Sequence, residues 1–356
     1  MPEASLVRKK GLVRQGRVAL SIVAADALLA TALLLLGLYM LWLTFIDRSF
    51  MLILPAALFI SIGVLKMAKT WPVLLASIES AGASKGVLHK SVLVPVSRPE
   101  TTKSLVEIAC DLLEKEGTLR LINVIEVPQQ LPYEYAETRK EKARELLMEA
   151  SKHCESRGVR PKLEIVAARD TPRAILDLAD RYQADLIVMG SSQRTVPEKV
   201  LFGNVVDRVL REAPCEVVIF SYAKALPPIR YDKILVPTSG YKHAQRALDI
   251  ALHFQRMSGG LVTSLFVGSD ADAEKGNIIL KKAKLHAERL GSSVETLFKT
   301  GGVVDNIVDV ARSGGYSLII IGATERPSYY TFLLGSTADE IVTRAPCNVL
   351  VVRTHK

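Results

Sequence analysis

One stretch of this chain occurs twice. Residues 184–220 read ADLIVMGSSQRTVPEKVLFGNVVDRVLREAPCEVVIF, and residues 316–352 read YSLIIIGATERPSYYTFLLGSTADEIVTRAPCNVLVV. Each copy is a short apolar run, a glycine (Gly190, Gly322), a loop, and a second glycine at a helix start (Gly203, Gly335). An Ala-Pro-Cys step then leads into a closing apolar run. An internal repeat sets the unit of structure, so the chain is expected to fold as two copies of one module.

The segments upstream repeat as well. SVLVPV (91–96) and KILVPT (233–238) are short apolar runs ending in proline and turn residues, the mark of a buried strand. KHAQRALDIALHFQRMSGG follows the second, apolar at Ala244, Ala247, Leu248, Ala251 and Leu252 and stopped by glycines, so it predicts a helix. Strands at 119–125 and 261–267 come next, then charged helical patterns at 138–158 and 273–291, strands at 162–168 and 294–300, and helices at 174–182 and 304–313. Strands alternating with helices predict an α/β fold, a parallel sheet with helices on both faces, in each copy. Val94 answers Val236 at an offset of 142 residues, whereas Gly190 answers Gly322 at 132. The first copy therefore carries ten extra residues, which the sequence places in a long loop at 127–138.

Ahead of the repeats, residues 27–46 hold no charge, enough helix to cross a bilayer core of about 30 Å. After Asp47, Arg48 and Ser49, residues 50–65 form a second apolar run, which Lys66 and Lys69 extend by snorkelling to about residue 67. A cleaved signal peptide would be shorter and would not be followed by a second span. Arg8, Lys9, Lys10, Arg14 and Arg17 precede the first run, and lysines follow the second. The positive-inside rule then gives a hairpin over 18–69 in the cell membrane, with the basic terminus (1–17) and the repeats both cytoplasmic. Asp26 at the edge of the first span is read as interfacial; an ion path is the alternative. Residues 70–88 form a linker rich in small residues.

The formal net charge of +9 is concentrated beside these apolar runs, and no aromatic-interleaved basic stretch points to a nucleic-acid partner. The four cysteines have no CxxC spacing; Cys215 and Cys347, at equivalent places, are expected as small core residues. The six histidines show no metal-ligand spacing, so no metal site is expected. No nucleophile elbow, HExxH, Walker A or carboxylate pair is present, so turnover is not expected, slow hydrolysis of a bound ligand apart.

With these residues in view, the chain resembles the universal stress protein family. The pattern ILVP-turn, helix, strand, helix, strand, helix, DLIVMG, glycine loop, Gly-Ser, APC-x-V-x-V carries the resemblance over residues 89–222 and 230–354. It implies two tandem, doubly wound, five-stranded parallel sheets. Many members bind ATP through Gly-x-x-Gly, nine residues, then Gly-Ser/Thr, and dimerise through the last strand. The implied ligand is ATP or another adenine nucleotide. In an open parallel sheet such a ligand lies at the carboxyl ends of strands where strand order reverses, with glycines and a helix start facing its phosphates.

In the second repeat the resemblance places the site at Thr238, Ser239, Gly240, Gly322, Gly335, Ser336 and Thr337. In the first it places Ser97, Gly190, Gly203 and Asn204 there, as a degenerate version. Glu325 and Gln193 stand where the motif has its second glycine, and Ser97 and Ser239 where the family has an aspartate. The second repeat keeps Gly240 and Gly301, where the first has Arg98 and Arg169. It is therefore the better expected pocket. Ser336 also suits a helix N-cap, and Gly322 and Gly335 also suit turns and packing alone.

The closing runs CEVVIF and CNVLVV would be apolar sheet edges, which need cover. Pairing them within one chain makes a pseudo-dimer; a homodimer is the alternative. The expected function is a membrane-anchored regulatory module that senses a nucleotide or binds a membrane partner. The alternatives are an accessory subunit or cytoplasmic tail of an amino-acid or cation transporter, as the resemblance implies, and a ligand-free structural module.

Overall fold

The computed structural model describes residues 86–192, 204–222, 229–323 and 336–354, together with helical residues at 29, 31–33, 35–36, 38–39, 41–42, 55 and 57–64. The chain divides into two compact units, Met1–Lys85 and Gly86–Lys356. The expected spans at 27–46 and 50–67 lie in large part outside the described residues, as does Asp26. The described residues within them are helical. Among the described residues, no helix is long and apolar enough to cross a membrane.

The second unit is built on ten strands. The first repeat supplies β1 (His89–Pro95), β2 (Leu113–Glu126), β3 (Lys162–Ala168), β4 (Leu186–Ser192) and β5 (Glu216–Tyr222). Its helices are α1 (Pro99–Asp111), α2 (Glu137–Glu155), α3 (Thr171–Arg181) and α4 (Asn204–Glu212). The second repeat supplies β6 (Lys233–Pro237), β7 (Leu261–Gly268), β8 (Glu295–Thr300), β9 (Leu318–Gly322) and β10 (Asn348–Arg353). Its helices are α5 (Lys242–Ser258), α6 (Ala273–Arg289), α7 (Val303–Ser313) and α8 (Ser336–Arg344). The strands form one sheet in the order β3-β2-β1-β4-β5-β10-β9-β6-β7-β8.

Within each repeat every pairing is parallel, and the central strands β4, β5, β9 and β10 carry nearly continuous apolar runs because helices cover both faces. Val92 and Val94 point into one core, which α1, α2, α5 and α6 complete. Leu93 points into the other, completed by α3, α4, α7 and α8. Both cores run on from one repeat into the other.

The two closing strands join the halves. β5 and β10 pair antiparallel, with Phe220 opposite Leu350 and Val218 opposite Val352. Each thereby covers the apolar edge that the other would expose, and a pseudo-twofold axis relates the repeats.

Two details depart from the sequence expectation. β2 begins at Leu113 rather than at residue 119, because Leu113 already pairs with His89 ahead of a register shift. Glu114, Lys115, Glu116 and Gly117 fill that bulge, and their polar character reads as a loop in the sequence. The extra segment at 127–138 is not a plain loop either. It contains a 3-10 turn, Tyr133–Ala136, that runs directly into α2.

Candidate functional site

In each repeat strand order reverses between the first strand and the fourth, so the crevice at their carboxyl ends is where a ligand is expected. In the first repeat that crevice is a cavity of about 390 Å³. Ser97 and Arg98 follow β1 at its rim, Gly190 and Ser191 are the last residues before β4 ends at Ser192, and Asn204 begins α4. Thr101 and Leu105 of α1 form the floor, and Tyr222 closes the β5 side. Glu126, at the end of β2, lies 3.4 Å from the hydroxyl of Thr171 at the start of α3.

Three of the four first-repeat residues expected from sequence, Ser97, Gly190 and Asn204, thus share one cavity. Gly203 lies outside the described residues. A Cβ on Gly190 would come 3.2 Å from Leu105 Cδ1 and 3.5 Å from Thr101 Oγ1, both lining the same space. Glycine there keeps the back of the cavity open. Thr101, Glu126, Thr171 and Tyr222 carry no motif and were not expected; only Thr171 had a signal, since Asp170 before it is a helix N-cap that accepts from Arg173 N at 3.0 Å.

The second repeat arranges its residues differently. Thr238, Ser239 and Gly240 form one turn after β6, in which Gly240 N donates to Thr238 Oγ1 at 3.2 Å. Gly240 has φ +82°, a conformation that glycine adopts without strain, and the side chain of Ile279 abuts it. Gly322 ends β9, the strand beside β6. A Cβ on it would lie 2.2 Å from the carbonyl oxygen of His243 in the first turn of α5. Gly322 therefore serves a close approach of helix to strand end. Ser336 and Thr337 begin α8, with Thr337 exposed; Gly335 and Glu325 lie outside the described residues.

Arg169, which in sequence looks like a lost glycine, has a structural task. Its guanidinium donates to the carbonyls of Pro128 at 2.9 Å and Leu131 at 3.0 Å, and lies 5.0 Å from the centroid of the Tyr133 ring. The arginine and the ten extra residues belong together: one clamps the other beside the cavity mouth at Glu126.

Two carboxyls in the crevice helices are perturbed. Asp207 in α4 and Asp339 in α8 are equivalent residues, and burial pushes both up to about 6. The charge of Asp207 adds to the rise at Asp339. Among the described residues, no three His, Cys, Asp or Glu side chains gather as metal ligands would.

Comparison with known proteins agrees with the architecture. A universal stress protein of Methanocaldococcus jannaschii is 32% identical over 143 residues, covering 35% of this chain and 84% of the relative. An Na(+)/H(+) antiporter of Synechocystis is 28% identical over 182 residues, covering 50% of this chain but 26% of the antiporter. A solved universal stress protein from Archaeoglobus fulgidus DSM 4304 matches with a TM-score of 0.57 at 22% identity, over 74% of this chain and 97% of that one. The universal stress protein family matches residues 89–221 and again 230–353, the two halves of the ten-stranded sheet, and the chain belongs to that family.

Proposed function

We propose that this chain is a membrane-anchored regulatory module whose first-repeat cleft binds an adenine nucleotide. The observation that carries the ligand is the cavity of about 390 Å³ at the strand-order reversal, within the range of about 300–1,000 Å³ usual for small-molecule sites. Its chemistry suits a nucleotide. The start of α4 offers backbone amides and a positive dipole end to phosphate, beside Arg98. The hydroxyls of Ser97 and Thr171 can donate, and Glu126 can accept from sugar hydroxyls. Gly190 keeps the wall behind them free of a side chain. The second repeat, with Gly322, Gly335 and Ser336, is the second location, favoured by its closer motif. The function is binding, with occupancy read out by a membrane partner.

Anchoring rests on the uncharged run at 27–46 and the apolar run at 50–65. Leu35, Trp42 and Leu58 in those runs are helical and exposed, as lipid-facing residues would be. A second reading, an accessory subunit or tail of a cation transporter, is favoured by the antiporter that half of this chain resembles. Co-purification of the chain with such a transporter from membranes would separate it from a free-standing module.

Calorimetry of the full chain in detergent with ATP, ADP and AMP tests the site. Ser97 and Ser239 are equivalent and both exposed, so a tyrosine at either fills one cleft and spares the core. Binding lost in Ser97→Tyr and kept in Ser239→Tyr is the expected result. The reverse pattern moves the site to the second repeat, and no binding by wild type at millimolar nucleotide removes the nucleotide altogether.

A further inference from the structure

Polar contacts between the repeats differ on the two sides of the pseudo-twofold. On one side Arg246 Nε, from α5, donates to Glu216 Oε1 at 2.9 Å and Oε2 at 3.0 Å at the start of β5. The same guanidinium reaches His89 Nε2 at 3.3 Å and the carbonyl of Gly86 at 3.3 Å. Asp185 Oδ1 lies 3.7 Å from His89 Nδ1. Arg246 is 8% exposed and the Glu216 side chain 11%, so this is a buried charge pair with one partner in each repeat.

The repeat offsets place Ser104, Asn348, Tyr231 and Ser317 where the other side has Arg246, Glu216, His89 and Asp185. The chain thus holds the charged set once. Near the axis, Asp111 at the end of α1 meets its own counterpart, His253 of α5, whose Nε2 lies 2.7 Å from the Asp111 carbonyl oxygen. The Asp111 carboxylate accepts from the Tyr231 hydroxyl at 3.0 Å and from Arg157.

Pairing of like repeats would break these contacts. Two first repeats would set Glu216 against Ser104, and Asp111 against Asp111. Two second repeats would set Arg246 against Asn348. A buried ion without its partner is strongly disfavoured, and that penalty discriminates against wrong partners more than it strengthens the right one. We propose that the closing-strand face of each repeat is a one-way address: it accepts the unlike repeat, in the same chain or exchanged with a second copy, and refuses its own kind. The homodimer through like closing strands is thereby excluded, and the surfaces left for other partners are the outer strands and the helix faces.

Charge reversal in the full-length chain, purified in detergent, tests the address. Arg246→Glu puts a second carboxylate against Glu216, and Glu216→Arg puts a second guanidinium against Arg246. Each variant alone is expected to lose about 10 °C of thermal midpoint. Mixed, the two restore both ion pairs by exchanging repeats, so each should capture the other through distinct affinity tags, well above the capture seen between two wild-type chains. Capture no greater than wild type, or equal self-capture by either variant, overturns the address. The neutral double variant Glu216→Asn with Arg246→Ser copies the other side of the axis and should stay within a few degrees of wild type. If it falls as far as the single variants, the pair is needed for folding itself and selects nothing.

Discussion

A Cβ on Gly322 would stand 2.2 Å from the carbonyl oxygen of His243, whereas one on the equivalent Gly190 would meet only side chains, Leu105 at 3.2 Å and Thr101 at 3.5 Å. Backbone cannot give way as a methyl group can. Gly322→Ala should therefore destabilise the fold by about 3 kcal/mol, the upper end of overpacking costs, and Gly190→Ala by less than about 1 kcal/mol. Urea denaturation of both variants reads the difference. Equal losses would mean that α1 approaches β4 as closely as α5 approaches β9.

The same pair of glycines marks the limit of what the sequence discloses. Apolar runs between turn residues located the strands, and the repeat placed two such sets in one chain. The apolar closing runs at 215–220 and 347–352 made mutual pairing the natural way to cover two edges. The sites were less legible. Gly190 and Gly322 occupy the same motif position, yet one opens a cavity and the other seats a helix. That outcome depends on helix approach, which spacing does not encode. Arg169 reads as a missing glycine, and only its two carbonyl partners in the extra segment reveal the clamp.

Release of that clamp can be measured. Arg169→Gly gives the first repeat the residue that the second has in Gly301, and it removes two hydrogen bonds and the contact with Tyr133. Tyr133 is already exposed, while the segment stays anchored at its ends by the buried side chains of Val127 and Ala136. Chymotryptic cleavage at 133–135 and amide exchange at Leu131 should accelerate several-fold, with the thermal midpoint lowered by only a few degrees. A large loss of stability without faster cleavage would assign Arg169 to the core instead.

Asp339 links stability to pH. Its carboxyl titrates near 6 in the folded chain, raised first by burial and then by the charge of Asp207, against 3.8 for an unperturbed aspartate. The folded state holds the proton more tightly, so this contribution is fully present below about pH 4 and is lost as pH rises through 6. Asp339→Asn mimics the protonated form. Scanning calorimetry should find the variant more stable than wild type at pH 8, with the gap closing towards pH 4. A variant less stable than wild type at pH 8 would mean that the ionised carboxylate makes a favourable contact.

The four thiols should react in a defined order. Cys110, half-buried on α1, is held below the usual thiol range by a hydrogen bond from Cys154 on α2, assisted by the charge of Arg157. The same hydrogen bond, with burial, pushes Cys154 far up. Burial alone is the main cause that pushes Cys215 and Cys347 up to about 12. Since the thiolate is the nucleophile, iodoacetamide at pH 7.5 should alkylate Cys110 first and leave the other three until the chain unfolds. Peptide mass spectrometry over a time course gives the order, and Cys110→Ser should abolish the fast phase. Fast labelling of Cys347, which is only partly buried, would show that access rather than thiolate fraction governs the order at the start of β10.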